Sequence, residues 1–213
     1  TRVRLVIMGP QGAGKGTQGE RIAEKYGIPD IATGEIFRWA LKGGTALGMK
    51  VREYVETGHL VPDDLTIEVV AERLRADDCK DGFLLDGFPR SLRQAEALDE
   101  ILAAQGVKLD AALVIEVPEA VSLHRLLGRR VCPDCGKNYH VDSPPEKNWT
   151  CDRCGGAVVA RTDDNEETIR ERLKLYHEQT EPLKEYYAKK GLLREVKGNG
   201  TEDEVFARIA EAL

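Results

Sequence analysis

Apolar runs alternate along the chain with segments of helix-forming residues. Runs rich in β-branched and apolar residues begin near residues 2, 28, 82, 111 and 192, and each has the length and composition of a buried strand. The segments between them carry apolar positions at helical spacing. Because parallel strands need long crossover connections, this alternation predicts an α/β fold with a five-stranded parallel sheet covered by helices on both faces.

Capping residues and glycines predict where the helices begin and end. Thr33 is expected to cap a helix that runs through residue 41, and Pro62 to precede another. Thr201 and Glu204 have the spacing of a capping box for the last helix. Other helices are expected at residues 47–56, 119–129, 164–176 and 180–190, and one is expected to begin after Ser91. The short helices between residues 33 and 61 resemble a small flap rather than part of the core.

Composition and charge exclude several classes of protein. The 213 residues are 41% hydrophobic and 32% charged, as in a soluble globular protein of one compact domain with an insertion, or of two small domains. The net charge of −6 argues against a general nucleic-acid or membrane-surface binder. No apolar run approaches the ~18 residues of a membrane span, and we expect no signal peptide. A cytoplasmic location is the expectation.

A glycine-rich stretch follows the first predicted strand and precedes a helix. Its glycines are Gly9, Gly12, Gly14 and Gly16. Strand, glycine loop and helix together are the context in which backbone N–H groups wrap a phosphate, and Lys15 would reach the β- and γ-phosphates. The alternative is a glycine-rich turn without a ligand. Gly16 stands where a magnesium-binding hydroxyl usually follows the lysine, so we expect Thr17, waters and a carboxylate elsewhere to hold the ion.

The sequence GFLLDGFPR, residues 82–90, is the second informative stretch. An apolar strand ends in Asp86, where a carboxylate beside a phosphate loop can hold the water ligands of magnesium. The alternative is that Asp86 only forms the turn. Arg90 suits a bidentate phosphate contact. Ser91 and Gln94 have the spacing of a capping box, which gives Gln94 a purely structural explanation as well.

Four of the five cysteines form a cluster with the spacing C-x2-C-x15-C-x2-C: Cys132, Cys135, Cys151 and Cys154. This spacing suits tetrahedral zinc with no open position, and therefore a structural metal. Two disulfides are the alternative. His140 could replace a cysteine, but with four sulfurs available it is expected to be a surface histidine.

Zinc ribbons also occur in nucleic-acid binders, but the charge of this segment argues against that class. Between residues 129 and 161 there are six Lys/Arg against four Asp/Glu. A nucleic-acid surface would carry a basic stripe and stacking aromatics. The sequence has neither in this segment.

Several motifs together resemble one family. They are GPQGAGKGTQ, TGEIFR, GHLVPD, GFLLDGFPR, LGRRVCPDCG, RTDDNEET and RERLKLYHEQTEPL. The chain resembles the adenylate kinases, in the form that carries a long zinc-bearing lid, and the resemblance runs nearly end to end. It implies a P-loop NTPase type of sheet with a core at residues 1–32, 62–128 and 162–213, an AMP-binding flap at 33–61 and a small zinc-bearing β lid at 129–161.

The resemblance implies reversible, magnesium-dependent phosphoryl transfer from ATP to AMP, giving two ADP, by a monomer. The implied ATP site is formed by Gly12, Ala13, Gly14, Lys15, Gly16, Thr17, Arg125, Arg129, Asn138, Tyr139 and Gly200. The implied AMP site is formed by Thr33, Gly34, Arg38, Leu60, Val61, Gly87, Arg90, Gln94, Arg161 and Arg172. The residues implied to act on the transferring group are Lys15, Arg38, Asp86, Arg90, Arg129, Arg161 and Arg172.

Two other functions remain to be weighed. One is another nucleoside monophosphate kinase, of the GTP:AMP or UMP/CMP type. Gln94 and the long lid argue against the UMP/CMP type, whereas a GTP-using relative is harder to exclude. The other is a nucleotide-dependent switch protein with a zinc nucleic-acid module, and an assay for ADP from ATP and AMP would separate it from a kinase.

Overall fold

The structure is a computed structural model that describes residues 2–162 and 164–213. Thr1 and Asp163, which fall inside the predicted core segments, lie outside the described residues. The strands are β1 (Val3–Met8), β2 (Asp30–Ala32), β3 (Gly82–Asp86), β4 (Ala111–Glu116), β5 (Arg129–Val131), β6 (Asn138–His140), β7 (Val159–Ala160) and β8 (Leu193–Lys197). The helices are α1 (Lys15–Tyr26), α2 (Thr33–Lys42), α3 (Ala46–Glu56), α4 (Asp63–Leu74), α5 (Leu92–Ala104), α6 (Glu119–Leu127), α7 (Glu166–Lys189) and α8 (Glu202–Ala212).

The predicted five-stranded parallel sheet is confirmed. Its strand order is β2-β3-β1-β4-β8 and every pairing within it is parallel. Ile7 of β1 lies opposite Asp86 of β3, so the loop after β1 and the turn after β3 leave the same edge of the sheet. Ligands of such sheets bind beyond the carboxyl ends of the strands.

Both faces of the sheet are buried, as the continuous apolar strands predict. Successive side chains of a strand point to opposite faces. Accordingly Val6 belongs to the apolar cluster on one face, while Leu5 and Ile7 belong to the cluster on the other. The first cluster also includes Ile36 of α2 and Val51 of α3. The interior of residues 33–61 is therefore continuous with the core, which differs from the expectation of a segment separate from it.

Two predicted helix boundaries are wrong. The helices expected at residues 164–176 and 180–190 form the single helix α7, with Pro182 inside it. Proline removes one helical hydrogen bond and so destabilises a helix locally. Both halves of α7 are held by buried apolar residues, including Leu173 and Leu183. This packing outweighs the cost of the proline. The helix expected to reach Arg129 ends at Leu127, because residues 129–131 pair with residues 138–140 in a second sheet.

That second sheet contains β6, β5 and β7 in this order, and all of its pairings are antiparallel. A small apolar cluster of Cys132, Cys151 and Val158 lies beside it, with Tyr139 and Trp149 packed against the cluster. So small a core gives this segment little stability of its own. Among residues 2–162 and 164–213, no helix combines the length and the apolar composition needed to cross a membrane.

Candidate active site

The glycine loop connects β1 to α1 as the sequence predicted. Gly12 and Gly14 have φ angles of +83° and +82°, which L side chains rarely adopt. No side chain caps the N-terminus of α1. The backbone N–H groups at this helix end, with the positive end of the helix dipole, therefore suit an anion such as a phosphate.

Lys15 and Asp86 meet at the base of this loop. The Nζ of Lys15 lies 2.6 Å from the Oδ1 of Asp86, and both side chains are partly exposed. The pairing of β1 with β3 places them together. The carboxylate predicted at the end of the third strand thus lies beside the glycine loop.

Three more of the predicted site residues, Thr33, Gly87 and Arg90, lie close together at the turn after β3. The hydroxyl of Thr33 donates to the carbonyl of Asp86 over 3.3 Å. The prediction that Thr33 caps α2 is wrong, since Ala32 occupies the N-cap position and no side chain caps this helix. A Cβ on Gly87 would lie 2.8 Å from the Thr33 hydroxyl. The Nε of Arg90 donates to the carbonyl of Gly87 over 2.8 Å.

Gln94 has partners that its sequence motif did not predict. Ser91 caps α5 by accepting from the Gln94 backbone N–H at 3.2 Å, as expected. The Gln94 side chain does not complete the capping box, because its Oε1 accepts from the Arg90 backbone N–H at 2.7 Å. Its Nε2 donates to Oδ1 of Asp63 at 2.9 Å. Gln94 is only 6% exposed, so its amide is held by protein groups at both ends.

The first cleft lies between the glycine loop and the second sheet and has a volume of about 600 Å³. The predicted residues that line it are Gly12, Ala13, Gly14, Thr17, Arg125, Arg129, Asn138, Tyr139 and Gly200. The guanidinium of Arg125 donates to the carbonyl of Gly12 at 3.0 Å and to that of Gly198 at 2.8 Å. Arg125 therefore joins the loop after β1 to the turn after β8. The sequence motifs did not indicate Gln18, Gly198 or Thr201, which also line this cleft.

The second cleft has a volume of about 400 Å³ and lies on the other side of the loop. The predicted residues that line it are Lys15, Gly87, Arg90 and Arg172. The first cleft includes Gly14 and Thr17, whereas the second includes Lys15. Neighbouring residues at the junction of the glycine loop and α1 therefore line both clefts.

The other predicted residues lie outside the lining of both clefts: Gly16, Thr33, Gly34, Arg38, Leu60, Val61, Asp86, Gln94 and Arg161. Arg38 is exposed on α2, with its Nη1 3.4 Å from where a Cβ on Gly34 would lie. Leu60 is 94% exposed, and Val61 packs against the core. Arg161 is exposed and directly follows β7.

Two acidic residues of the site were not predicted. Asp164 forms two hydrogen bonds with Arg129, at 2.9 and 2.6 Å, and its side chain is 2% exposed. Asp30 stands at the beginning of β2, where burial, followed by repulsion from Asp86, raises its pKa to about 6. The sequence carries no local signal for either, because both depend on neighbours that are distant along the chain.

The four clustered cysteines converge as their spacing predicted. The Sγ atoms of Cys132 and Cys154 are 3.4 Å apart, those of Cys135 and Cys151 are 3.5 Å apart, and all four lie within 4.8 Å of one another. A disulfide requires about 2.05 Å between its sulfurs, and these cysteines are free thiols. Four sulfurs at ~2.3 Å around tetrahedral zinc are roughly 3.8 Å apart, so the cluster is compatible with a structural zinc.

The surroundings of the cluster also favour metal binding. The glycine after each second cysteine has a φ angle near +76°, and its N–H donates to the carbonyl of the first cysteine of the pair. The hydroxyl of Tyr139 donates to Sγ of Cys151 at 3.3 Å. This bond lowers the pKa of Cys151 to about 6. A backbone hydrogen bond from Gly156 acts to lower the pKa of Cys154, but hydrogen bonds with the sulfurs of Cys132 and Cys135 outweigh it and raise that pKa to about 12, so the case for a metal rests on the geometry of the four sulfurs. His140 lies outside the cluster, and its side chain is only 24% exposed, so it is less of a surface residue than expected.

Comparison with known proteins identifies the family. The family model described as adenylate kinase matches residues 7–192. The chain belongs to the adenylate kinase family. It is 53% identical over 212 residues to an adenylate kinase of Carboxydothermus hydrogenoformans, covering 99% of each chain. It is 52% identical to one of a Geobacillus species, covering 99% of this chain and 98% of the relative. For an adenylate kinase of Thermodesulfovibrio yellowstonii the identity is 51%, with 99% of each chain covered.

The match over nearly the whole chain decides between the functions left open by the sequence. Adenylate kinases are ATP:AMP phosphotransferases that act on ATP, AMP and ADP, and this activity is supported for the present chain. Neither another monophosphate kinase nor a nucleotide switch with a nucleic-acid module is favoured.

Proposed function

We propose that the two clefts are the two substrate sites of a reversible, magnesium-dependent transfer of the terminal phosphoryl group of ATP to AMP. The observation that carries the proposal is that neighbouring residues of the glycine loop and the first turn of α1 line both clefts, beside the Lys15–Asp86 pair. In this arrangement ATP occupies the first cleft, with its phosphates on the loop. AMP approaches from the second cleft, so that the donor and acceptor phosphates meet at Lys15.

On the ATP side, the loop amides and Lys15 bind the phosphates and Arg125 lies over the adenine. Gly12 and Gly14 allow the backbone to curve around the phosphates. The two carbonyl contacts of Arg125 fix the plane of its guanidinium, which suits stacking on a base. Asn138 and Tyr139 contact ATP from the second sheet, and Gly16, Thr17 and Gly200 complete the site.

On the AMP side, Thr33, Gly34, the backbone of residues 60–61 and Gly87 form the pocket, and Arg38 and Arg90 bind the phosphate. Gln94 is the candidate to bind adenine through its side-chain amide. Adenine would have to take over at least one end of that amide, from Asp63 or from the backbone N–H of Arg90. The side chain is thus already oriented by the fold before AMP binds.

The residues present fit a magnesium ion carried by ATP. Asp86 would hold its water ligands and Thr17 would provide a hydroxyl, since carboxylate and hydroxyl oxygens suit this ion. When bound, the ion would supply charge neutralisation for the phosphates. Lys15, now paired with Asp86, would bind the phosphates of ATP through its ammonium group.

The chemical step needs alignment and charge stabilisation more than a general base. A phosphate oxygen of AMP attacks the γ-phosphorus of ATP, and the bond from that phosphorus to the β–γ bridging oxygen breaks. No proton needs to move, because the attacking oxygen is already anionic. Lys15, Arg38, Arg90, Arg129, Arg161 and Arg172 stabilise the charge on the transferred group.

The lid and the flap would close to exclude water. Arg161 lies in the lid segment, residues 129–161, and Arg38 in the flap segment, residues 33–61, and both are exposed. Closure would bring them to the phosphates and prevent hydrolysis of ATP. Zinc at the four cysteines would hold the lid segment together without taking part in chemistry, because four sulfurs leave no open position. We expect the protein to act as a monomer in the cytoplasm.

A coupled assay of ADP formation tests the proposal. ADP should form from ATP and AMP together with Mg²⁺, whereas ATP alone should give almost none, because the site excludes water. A panel in which AMP is replaced by CMP, UMP or GMP, and ATP by GTP, measures the preference at each cleft. Equal ADP formation without AMP, or a preference for CMP or UMP, would contradict the proposal.

A further inference from the structure

We propose that His124, His140 and Asp142 form a second divalent-metal site, separate from the four cysteines, where the lid segment joins α6. The ion would be a first-row divalent metal that favours imidazole ligands, such as Ni²⁺ or Zn²⁺. The proposed ligand atoms are Nε2 of His124, Nδ1 of His140 and a carboxylate oxygen of Asp142.

The ligand atoms are already close to the separations that a metal requires. The Nδ1 of His140 lies 3.5 Å from Oδ2 of Asp142, and one ligand atom from each residue falls within 4.8 Å of the others. Nitrogen and oxygen atoms at ~2.1 Å around a tetrahedral ion are about 3.4 Å apart. Nε2 of His124, at 2.6 Å from Oδ2 of Asp142, would have to move away from that oxygen by less than about 1 Å. Both side chains are more than 60% exposed and can do so.

Hydrogen bonds fix the tautomer of His140 that the site needs. The backbone N–H of Asp142 donates to Nδ1 of His140 at 3.0 Å, so Nδ1 carries a lone pair. The other ring nitrogen, Nε2, then carries the proton, and it lies 3.2 Å from the carbonyl oxygen of His124. Metal-binding histidines almost always donate their second N–H to such an acceptor. His140 therefore already makes, through Nε2, the hydrogen bond that a metal-binding histidine makes with its second nitrogen. The ion would bind the lone pair of Nδ1, which now accepts from the backbone N–H of Asp142.

The backbone around Gly128 holds the His140 ring in position. A Cβ on Gly128 would lie 2.2 Å from Nε2 and 2.4 Å from Cε1 of His140, so the ring rests directly on this glycine. The N–H of Val141 donates to the carbonyl of Gly128 at 2.9 Å. His140 is thus fixed relative to the end of α6, which also carries His124. A ligand held in this way loses little freedom when it binds an ion.

The site would connect two parts of the molecule. His124 belongs to α6, whereas His140 and Asp142 belong to the lid segment. The plain alternative is an ion pair between His124 and Asp142, whose hydrogen bond also lowers the pKa of Asp142. Exposed histidine–carboxylate pairs contribute little to stability. A pair needs only His124 and Asp142, whereas the metal site also needs the lone pair of His140, so a metal titration separates the two.

The experiment is a calorimetric titration of the zinc-saturated, full-length protein with NiCl₂ in a buffer that does not chelate. We expect one equivalent of Ni²⁺ to bind, with weak absorption bands of nitrogen and oxygen ligands. His124→Ala and Asp142→Asn should each weaken this binding by at least about tenfold. The matched controls are His59→Ala and His177→Ala, which change the chain's two remaining histidines, both exposed, and they should bind as the parent protein does. A thermal melt of each variant confirms that it is folded.

Three results would overturn the proposal. One is the absence of Ni²⁺ binding to the zinc-saturated protein. Another is equal binding by the parent and by both site variants. The third is a strong sulfur-to-nickel charge-transfer band, which would place the added ion at the four cysteines instead.

Discussion

Lys15 and Asp86 form an ion pair of 2.6 Å that joins the glycine loop to the end of β3. The two residues come from different sequence motifs, and the parallel pairing of β1 with β3 brings them together. The carboxylate of Asp86 holds the Lys15 ammonium beside the glycine loop. The pair therefore places a cation where the proposed phosphates would bind.

Lys15→Met should reduce turnover by about a thousandfold or more, a loss of ~4 kcal/mol of transition-state stabilisation. Stability should change by no more than about 1 kcal/mol, because the ion pair is partly exposed. Turnover is measured in the coupled ADP assay, and stability by denaturant unfolding. Lys25→Met, an exposed lysine in the last turn of the same helix, is the control and should keep its activity. Wild-type-like turnover in Lys15→Met would contradict the proposed role of Lys15 in stabilising the transferred phosphoryl group.

Gln94→Ala should raise the apparent KM for AMP and allow CMP and UMP to compete better. It should also cost about 1–3 kcal/mol of stability, because the mutation leaves the Arg90 backbone N–H and the Asp63 carboxylate without this partner. Competition assays with the three monophosphates measure the first effect.

Ser91→Ala is the matched control for Gln94. It removes the N-cap of α5, which should cost ~1 kcal/mol, but it leaves the Gln94 amide in place. Its monophosphate preference should equal that of the parent protein. If Gln94→Ala also kept the parent preference, the role of Gln94 would be structural and adenine would be bound by other groups.

Patterns that are local in the chain predicted most of the fold. The five strands of the main sheet and the glycine loop depend on residues within a few positions of one another, and the four-cysteine cluster on two such local pairs, each of the form C-x2-C. β-Branched runs, positive-φ glycines and paired cysteines each have a strong conformational or chemical preference. Such features survive in almost any tertiary context.

The errors concern residues whose roles are decided by distant neighbours. Two helices were predicted, ending at residue 176 and beginning at residue 180, but packing of both halves keeps α7 continuous. Thr33 had the chemistry of an N-cap, yet its hydroxyl bonds the carbonyl of Asp86. Gln94 had the spacing of a capping box, yet its side chain reaches Asp63. In each case a tertiary contact outweighed a local preference of about 1 kcal/mol.

Removal of zinc from the four cysteines should lower the melting temperature and loosen the lid segment, while some phosphoryl transfer survives. The apolar cluster of this segment has only three buried residues, Cys132, Cys151 and Val158, and two of them are proposed ligands. A metal bound by the four cysteines would therefore take the place of a larger core in this segment. Ejection of zinc by a thiol reagent, or the Cys151→Ser/Cys154→Ser double variant, is followed by thermal melting and by initial rates well below the melting temperature.

Removal of Mg²⁺ is the control and should have the opposite effect, with turnover abolished and the melting temperature little changed. Complete loss of turnover in a zinc-free protein that still melts at its original temperature would contradict a structural role for the metal. Metal analysis that finds no zinc in protein purified without chelators would contradict the proposal that the four cysteines bind zinc.

Asp30→Asn should stabilise the protein near neutral pH, and the gain should grow as the pH rises. Burial and repulsion from Asp86 raise the pKa of Asp30 from 3.8 to about 6. The folded state therefore binds a proton more tightly than the unfolded state, and Asp30 destabilises the fold increasingly between about pH 4 and pH 6 as it ionises. Asparagine carries no charge and escapes this cost. Because Asp30 is only half-buried, solvent screening should limit the gain to about 1 kcal/mol at pH 7.5.

Denaturant unfolding of the parent and of Asp30→Asn at several values between pH 5 and pH 8 measures this effect. The difference in the free energy of unfolding should roughly double between pH 5 and pH 7 and then stay level, because Asp30 is then fully ionised in both states. Asp81→Asn, an exposed carboxylate at the opposite end of β3, controls for the change in net charge. A difference that is independent of pH, or that Asp81→Asn reproduces, would show that Asp30 is not held in an unfavourable electrostatic environment beside Asp86.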